Sequence, residues 1–289
     1  MSFQYLLYET EDHIATITLN RPERMNALLP DMYDEILRAL DQADADPQVR
    51  VIIFTGAGKC FCSGQDLNTD NKFGQKVENI EDYRDRGGLI SLRIYDLRKP
   101  CIGALNGSAV GVGITMTLPM DFRICSERAK IGFVFARRGI INEACSSYFL
   151  PKVVGYTKAL EWLMLGRTFT AAEGKEAGLF TQVVPPEEVL PAARALAQEL
   201  AGQSAPVSAA LARAMVWHSH SFTHPIQAHD IESKAMFYTA RQEDAKEGVA
   251  AFLEKRAPQW RLNTTDNMPD FYPWWETPPF REKGEKDGG

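Results

Sequence analysis

The order of strand and helix signals predicts an α/β fold, with a mixed core followed by a helical appendage. Three observations carry this expectation. Alternating or β-branched apolar runs recur at 13–20, 49–55, 101–105 and 122–125, separated by segments of helical character. From Ser146 onward the signals turn mainly helical. There is no internal repeat, and no low-complexity tract apart from the last thirty residues.

In chain order, 5–9 and 13–20 read as two strands joined by a turn at Glu11-Asp12. Asp31 is placed to cap a helix with Tyr33, Ile36, Leu37 and Leu40 on one face, ending before Pro47. Residues 49–55 form a short strand of the fully buried type. A polar stretch to Gln75 leads to a helix over 80–97. Strand 101–105, helix 112–118 and strands 122–125 and 130–133 follow. In 187–202 a stripe of Val189, Ala193, Leu196, Ala197 and Leu200 marks an amphipathic helix. The expected divisions are a core at 1–200, a helical region at 201–262 and a Pro/aromatic tail at 263–289. Phe271, Tyr272, Trp274 and Trp275 are too apolar for a purely solvated tail and should pack on a neighbouring surface.

Composition narrows the function classes. With 289 residues, 45% hydrophobic and 24% charged, the chain can build a substantial core. A net charge of −6 argues against nucleic acid as a partner. Five cysteines, mostly in apolar runs, suit buried thiols in a reducing compartment. The opening MSFQYLLYET shows no secretory pattern, and the expected location is cytoplasmic. No residue from Cys101 to Met120 is charged, and Gly103, Gly107 and Gly111 fall at membrane-helix spacing. Asn106, Pro119 and the glycine density favour a buried strand, a turn and a buried helix over a membrane span.

The chemistry concentrates in GAGKCFCSGQDL (56–67), directly after a buried strand. A dinucleotide fingerprint fails because Phe61 takes the third glycine's place. A phosphate loop fails at Ile53 and Cys60. A metal site would rest on Cys60 and Cys62, with no His or Cys partner in the next thirty residues, so no metal is expected. His218, His220 and His224 do not share one helical face.

Together with NGSAVGVGITMTLPMDFRICSE (106–127), this loop resembles the enoyl-CoA hydratase/isomerase (crotonase) superfamily. LNRPERMNAL, KPCIGALNGSAVGVG, FRICSERAKIGF, TAAEGKEAGLFTQVVP and EGVAAFLEKRAPQW continue the similarity, in family order, over roughly residues 5–260. The resemblance implies a crotonase-like spiral of ββα units with a C-terminal helical appendage. It implies a substrate esterified to coenzyme A and no permanently bound cofactor. Such chemistry stabilises a thioester enolate with two backbone N–H groups, carried over to Gln65 and Val112, and glycines such as Gly111 let bare backbone approach. Ser63, Gln65 and Leu67 are then expected at the adenine end of CoA, Met25 and Ala27 beside it, and Arg24 near its phosphates. Asp66 is expected to stabilise the loop. Phe252 and Lys255 match residues that reach the CoA of an adjacent subunit, and the family pattern implies a homotrimer or a dimer of trimers.

The sequence departs from the hydratase pattern where two glutamates should stand, at Thr115 and Phe135. Adding water needs a group to deprotonate it and another to protonate the α-carbon, and neither side chain can do this. RRGIINEACSSYFLPKVVG (137–155) resembles delta-3,delta-2-enoyl-CoA isomerases that carry a single catalytic glutamate, here Glu143. One carboxylate suffices to move a proton from C2 to C4, and apolar neighbours (Ile140, Ile141, Ala144, Phe149) would raise its pKa. The alternatives are that Glu143 caps the helix beginning near Ser146, that the chain is an enoyl-CoA hydratase, or that it binds CoA esters without catalysis. The pocket wall is expected over 71–92.

Overall fold

The computed structural model describes residues 3–68 and 77–280. The N-terminal part of the expected wall, 71–76, and the charged end of the tail, 281–289, lie outside the described residues.

Strands β1 (Leu6–Glu11) and β2 (Ile14–Leu19) form an antiparallel hairpin, turned by Asp12 and His13 at positive φ. Helix α1 (Pro30–Ala45) follows, then β3 (Val51–Gly56) and β4 (Cys60–Cys62), and helix α2 (Arg86–Tyr95). The pattern repeats with β5 (Cys101–Leu105), β6 (Ser108–Val110) and the single-turn helix α3 (Val112–Thr115). It repeats again with β7 (Phe122–Ser126), β8 (Lys130–Gly132) and α4 (Ser146–Val154). Each turn of this spiral gives one strand to a six-stranded sheet and one to a four-stranded sheet. The larger sheet runs β1-β2-β3-β5-β7-β10, and the smaller β4-β6-β8-β9, with β9 at Thr168–Thr170 and β10 at Gln182–Val184. Neighbours from β2 to β10 in the larger sheet are parallel.

Strand alternation sorts the core into two layers. Ile52 and Phe54 of β3, with Cys101 and Leu105 of β5, face the main core, which holds α1 and the smaller sheet. Val51, Ile53, Ile102 and Ala104 face the opposite way, onto helix α7 (Val189–Gln203). That helix meets them with Val189, Ala193, Ala197 and Ala201, a small-residue stripe that lets it lie close to the sheet. The expected stripe is thus present, with Leu196 and Leu200 only partly buried at its margin.

Helices α8 (Pro206–His218), α9 (Pro225–Thr239) and α10 (Glu243–Glu254) complete the chain, after α5 (Tyr156–Leu165) and α6 (Ala171–Glu176). The tail aromatics pack as anticipated: Phe271, Tyr272 and Trp274 join Val207, Leu211 and Ala235. Trp275 stacks on the His218 imidazole at 3.5 Å between ring centres.

Four expectations need correction. Asp31 does not cap α1, which starts one residue earlier at Pro30 with Leu29 before it; Asp31 sits in the first turn. The helix over 80–97 is shorter, because Asp85 accepts from the N–H groups of Gly87 and Gly88 and so begins α2 at Arg86. Residues 60–62, read as loop, form a strand whose Phe61 is fully buried. Strands β6, β9 and β10 also escaped notice, since three-residue strands offer too little alternation to detect. Among the described residues no helix is long and apolar enough to cross a membrane, and 101–120 is β5, β6 and α3.

Candidate active site

Two loops are brought side by side by backbone that only glycine permits. Gly111 has φ 58° and ψ −131°, and a Cβ on Gly64 (φ 105°) would press to 2.9 Å from the Val110 carbonyl oxygen. The residues after these glycines are Gln65 and Val112, and both line one cavity of about 1090 Å³. Leu28 donates to the Gly64 carbonyl and accepts from the Asp66 N–H, so the intervening Gln65 N–H is left for a ligand. Val112 is the first residue of α3, where no earlier turn offers an acceptor.

Glu143 lines the same cavity. Its carboxyl turns away from α4, whose start is marked by the backbone of Ala144 and Cys145 in the left-handed region. The helix-capping role is therefore not the one it plays. Thr115 Oγ1 forms a short hydrogen bond with Glu143 Oε1 and lies 3.2 Å from the Gly111 carbonyl oxygen. Its single hydrogen can serve only one of them at a time. When Glu143 is ionised the hydroxyl donates to it; when Glu143 is protonated the carboxyl donates and Thr115 turns to Gly111. The other oxygen, Oε2, rests against Gly87, where any Cβ would overlap it.

Asp85 completes the arrangement. Its carboxylate accepts from Gly87 N (3.1 Å), Gly88 N (2.8 Å) and Ala144 N (2.7 Å), tying the start of α2 to the Glu143 loop. Burial, and then the charge of Asp85, push the Glu143 carboxyl up to about 8, partly opposed by the Thr115 hydrogen bond. The apolar surroundings differ in detail from expectation: Ala144 and Phe149 are buried, but Ile141 is 83% exposed.

The remaining sequence-derived positions divide. Ser63, Gln65, Leu67, Gly111, Val112, Phe135 and Glu143 all line the cavity. Phe135 is a buried wall where a hydratase glutamate would stand. Asp66, Met25 and Ala27 support the 63–67 loop from behind. The Ser63 N–H donates to the Met25 carbonyl, and Arg21 Nη1 donates to both Asp66 (2.7 Å) and the Ala27 carbonyl (3.0 Å). The N–H of Asn68 and then this arginine hold the Asp66 carboxyl below its usual range. Arg24 is exposed at the end of a short 3-10 turn and does not line the cavity. Phe252 (82% exposed) and Lys255 lie on and after α10, away from the cavity of their own chain. His218 and His224 have structural partners, Tyr95 with Trp275 and the start of α9 respectively. No cluster of metal-ligating side chains occurs among the described residues.

The spiral fold has its counterpart in known proteins. Residues 9–263 match the family described as enoyl-CoA hydratase/isomerase. The chain belongs to the enoyl-CoA hydratase/isomerase family. It is similar to the enoyl-CoA hydratase ACTT3 of Alternaria alternata, 43% identical over 251 residues, covering 86% of this chain and 83% of that protein. It is also similar to the 1,2-epoxyphenylacetyl-CoA isomerase of Escherichia coli (strain K12), 34% identical over 265 residues, with 89% and 98% covered. Among solved structures, a probable enoyl-CoA hydratase/isomerase from Mycobacterium abscessus aligns with a TM-score of 0.82 at 31% identity, over 89% of this chain and 99% of that one. The chain is accordingly an enzyme of the enoyl-CoA hydratase/isomerase family, for which an acyl-CoA thioester is the fitting substrate class.

Within that family framework, sequence reasoning missed Asp85, Gly87 and the hydroxyl of Thr115 as partners of Glu143. The Gly87-Gly88 pair opening a helix was the available signal, since glycine is unfavourable there without a packing reason.

Proposed function

We propose that the enzyme isomerises 3-enoyl-CoA esters to the conjugated 2-enoyl-CoA, with Glu143 as the single proton carrier. The observation that carries this is the position of one protonatable carboxyl beside two unused N–H groups, anchored at Oε1 by Thr115. Asp85 is no second acid or base, because its carboxylate oxygens are taken up by three backbone N–H donors. With the thioester oxygen between Gln65 N and Val112 N, ionised Glu143 removes the C2 proton. The negative charge spreads onto the thioester oxygen, where each N–H contributes about 3 kcal/mol of transition-state stabilisation. The protonated carboxyl then delivers the proton to C4. CoA lies with its adenine end on the 63–67 loop and its phosphates near Arg24.

Assembly follows from exposed apolar side chains. Tyr156 and Met164 on α5, Phe237 on α9 and Phe252 and Leu253 on α10 are all more than half exposed in the single chain. A homotrimer, or a dimer of trimers, would cover such faces and bring Phe252 and Lys255 to a neighbour's site.

Hydration is the second possibility, and the hydratase names of the relatives favour it. One assay separates the two. Isomerisation of a 3-enoyl-CoA raises the absorbance of the conjugated thioester, whereas hydration of a 2-enoyl-CoA abolishes it. Bleaching of the 2-enoyl ester with no conversion of the 3-enoyl ester would refute the isomerase assignment.

A further inference from the structure

Tyr33 carries a hydroxyl that no described residue uses. The side chain belongs to the main core and is only 6% exposed, yet it lines the cavity with Gln65, Val112 and Glu143. Its oxygen has no hydrogen-bond partner among the described residues. Tyr8 Oη and Trp274 Nε1 also lack partners, but those atoms are sealed inside protein, whereas Tyr33 Oη is not among the sealed ones and opens on the cavity.

The ring is held in place. Arg86 lies over it at 5.7 Å from the ring centre, and Arg86 is itself fixed by Asp34 (2.8 Å) and the Pro30 carbonyl (2.8 Å). Burial first, then the charges of Glu143, Cys62 and Asp85 against that of Arg86, keep the phenol well above its ordinary range. It therefore stays protonated and can act as a donor but not as a base. Glu143 does not occupy it: the carboxyl acts on the phenol through its charge and makes no hydrogen bond to it. Phenylalanine would fill the same volume, so the partner of a hydroxyl that opens on the cavity is to be sought in the ligand that fills it.

We infer that Tyr33 is a substrate contact: its hydroxyl donates a hydrogen bond to an oxygen on the acyl chain, so that the site selects acyl-CoA esters bearing a hydroxyl, keto or epoxide oxygen. This rests on the acyl-CoA assignment of the cavity and is independent of whether the reaction is isomerisation or hydration. A donor aimed into the acyl cavity discriminates strongly, because a chain without the acceptor leaves the hydroxyl dehydrated and unpaired.

The test uses saturated acyl-CoA esters of one chain length, either plain or hydroxylated at successive carbons beyond C3, which report binding without turnover. Titration calorimetry compares the wild-type protein with Tyr33→Phe. At least one hydroxylated ester should bind the wild type about tenfold or more tightly than the plain ester. Tyr33→Phe should erase that preference, bind the plain ester as tightly as wild type or more tightly, and unfold at the same or a higher temperature. A preference that is absent, or that survives Tyr33→Phe, overturns the inference while leaving the acyl-CoA assignment intact. Equal weakening of every ester, with a displaced pH profile, would make Tyr33 a support for Glu143 and also overturn it. Failure of every CoA ester to bind the wild type overturns both.

Discussion

Replacing Glu143 by glutamine removes a titratable proton while keeping the shape and one hydrogen-bonding oxygen, and its effects on stability and rate have opposite signs. The folded protein holds this carboxyl at about 8 against an ordinary value of 4.5. A raised folded pKa means that the folded state retains a proton the unfolded chain has released. Stability from this group is complete below about 4.5 and is lost as pH climbs to about 8. At about 1.36 kcal/mol per pH unit, that interval sets an upper bound of about 5 kcal/mol, lowered in practice by water in the cavity. Glu143→Gln should therefore be more stable than wild type at pH 9 and should lose the corresponding slope in denaturant melts between pH 5 and 8. Its kcat should fall by roughly two to four orders of magnitude, the usual value of general base catalysis. Wild-type kcat should rise with pH toward a plateau above about 8, because only the ionised carboxylate accepts a proton. Equal stability of the two proteins across this range would refute the buried, protonated carboxyl, and near-full turnover by Glu143→Gln would refute its catalytic role.

Other perturbations separate the parts of the site. Thr115→Ala removes the hydrogen bond that favours the charged form of Glu143, so the pH–rate profile should move upward, with Thr115→Ser restoring it. Gly87→Ala places a methyl group on Glu143 Oε2 and should abolish most of kcat while CoA-ester binding, followed by calorimetry, persists. Arg24→Ala should raise KM with little change in kcat, since a phosphate contact is the same in ground and transition states; a loss confined to kcat would displace Arg24 from that role. His218, held down to about 4 by burial and then by Arg213, supplies stability that is present above about 6.5 and lost as pH falls toward 4. His218→Gln should flatten that part of the acid-unfolding curve relative to wild type. Sedimentation of a stable monomer at micromolar concentration would count against the trimer and against Lys255 acting across subunits.

Different parts of this molecule were legible in the sequence to different depths, and the reason is the range over which each signal acts. Buried parallel strands announce themselves locally, because β-branched runs such as VIIFTG have few other uses. The two free N–H groups were also local: each follows a glycine at positive φ, and in the proposed mechanism the identity of Gln65 and Val112 hardly matters because they would act through main chain. Glu143 is different. Its proton affinity is set by Asp85, Gly87 and Thr115, which arrive from α2 and α3, and no spacing rule connects positions so far apart in the chain. The same limit explains Tyr33, which counts as an ordinary apolar position on the α1 stripe until the fold sets it in the cavity wall with Glu143. Thr115 is the instructive case. Set against a hydratase pattern it registers only as a lost carboxylate, whereas in three dimensions it supplies the hydrogen bond that holds the carboxylate arriving from the 143 loop. The proposed mechanism places the acid/base group on the 143 loop rather than at Thr115 or Phe135, which is possible because the spiral delivers several loops to one cavity.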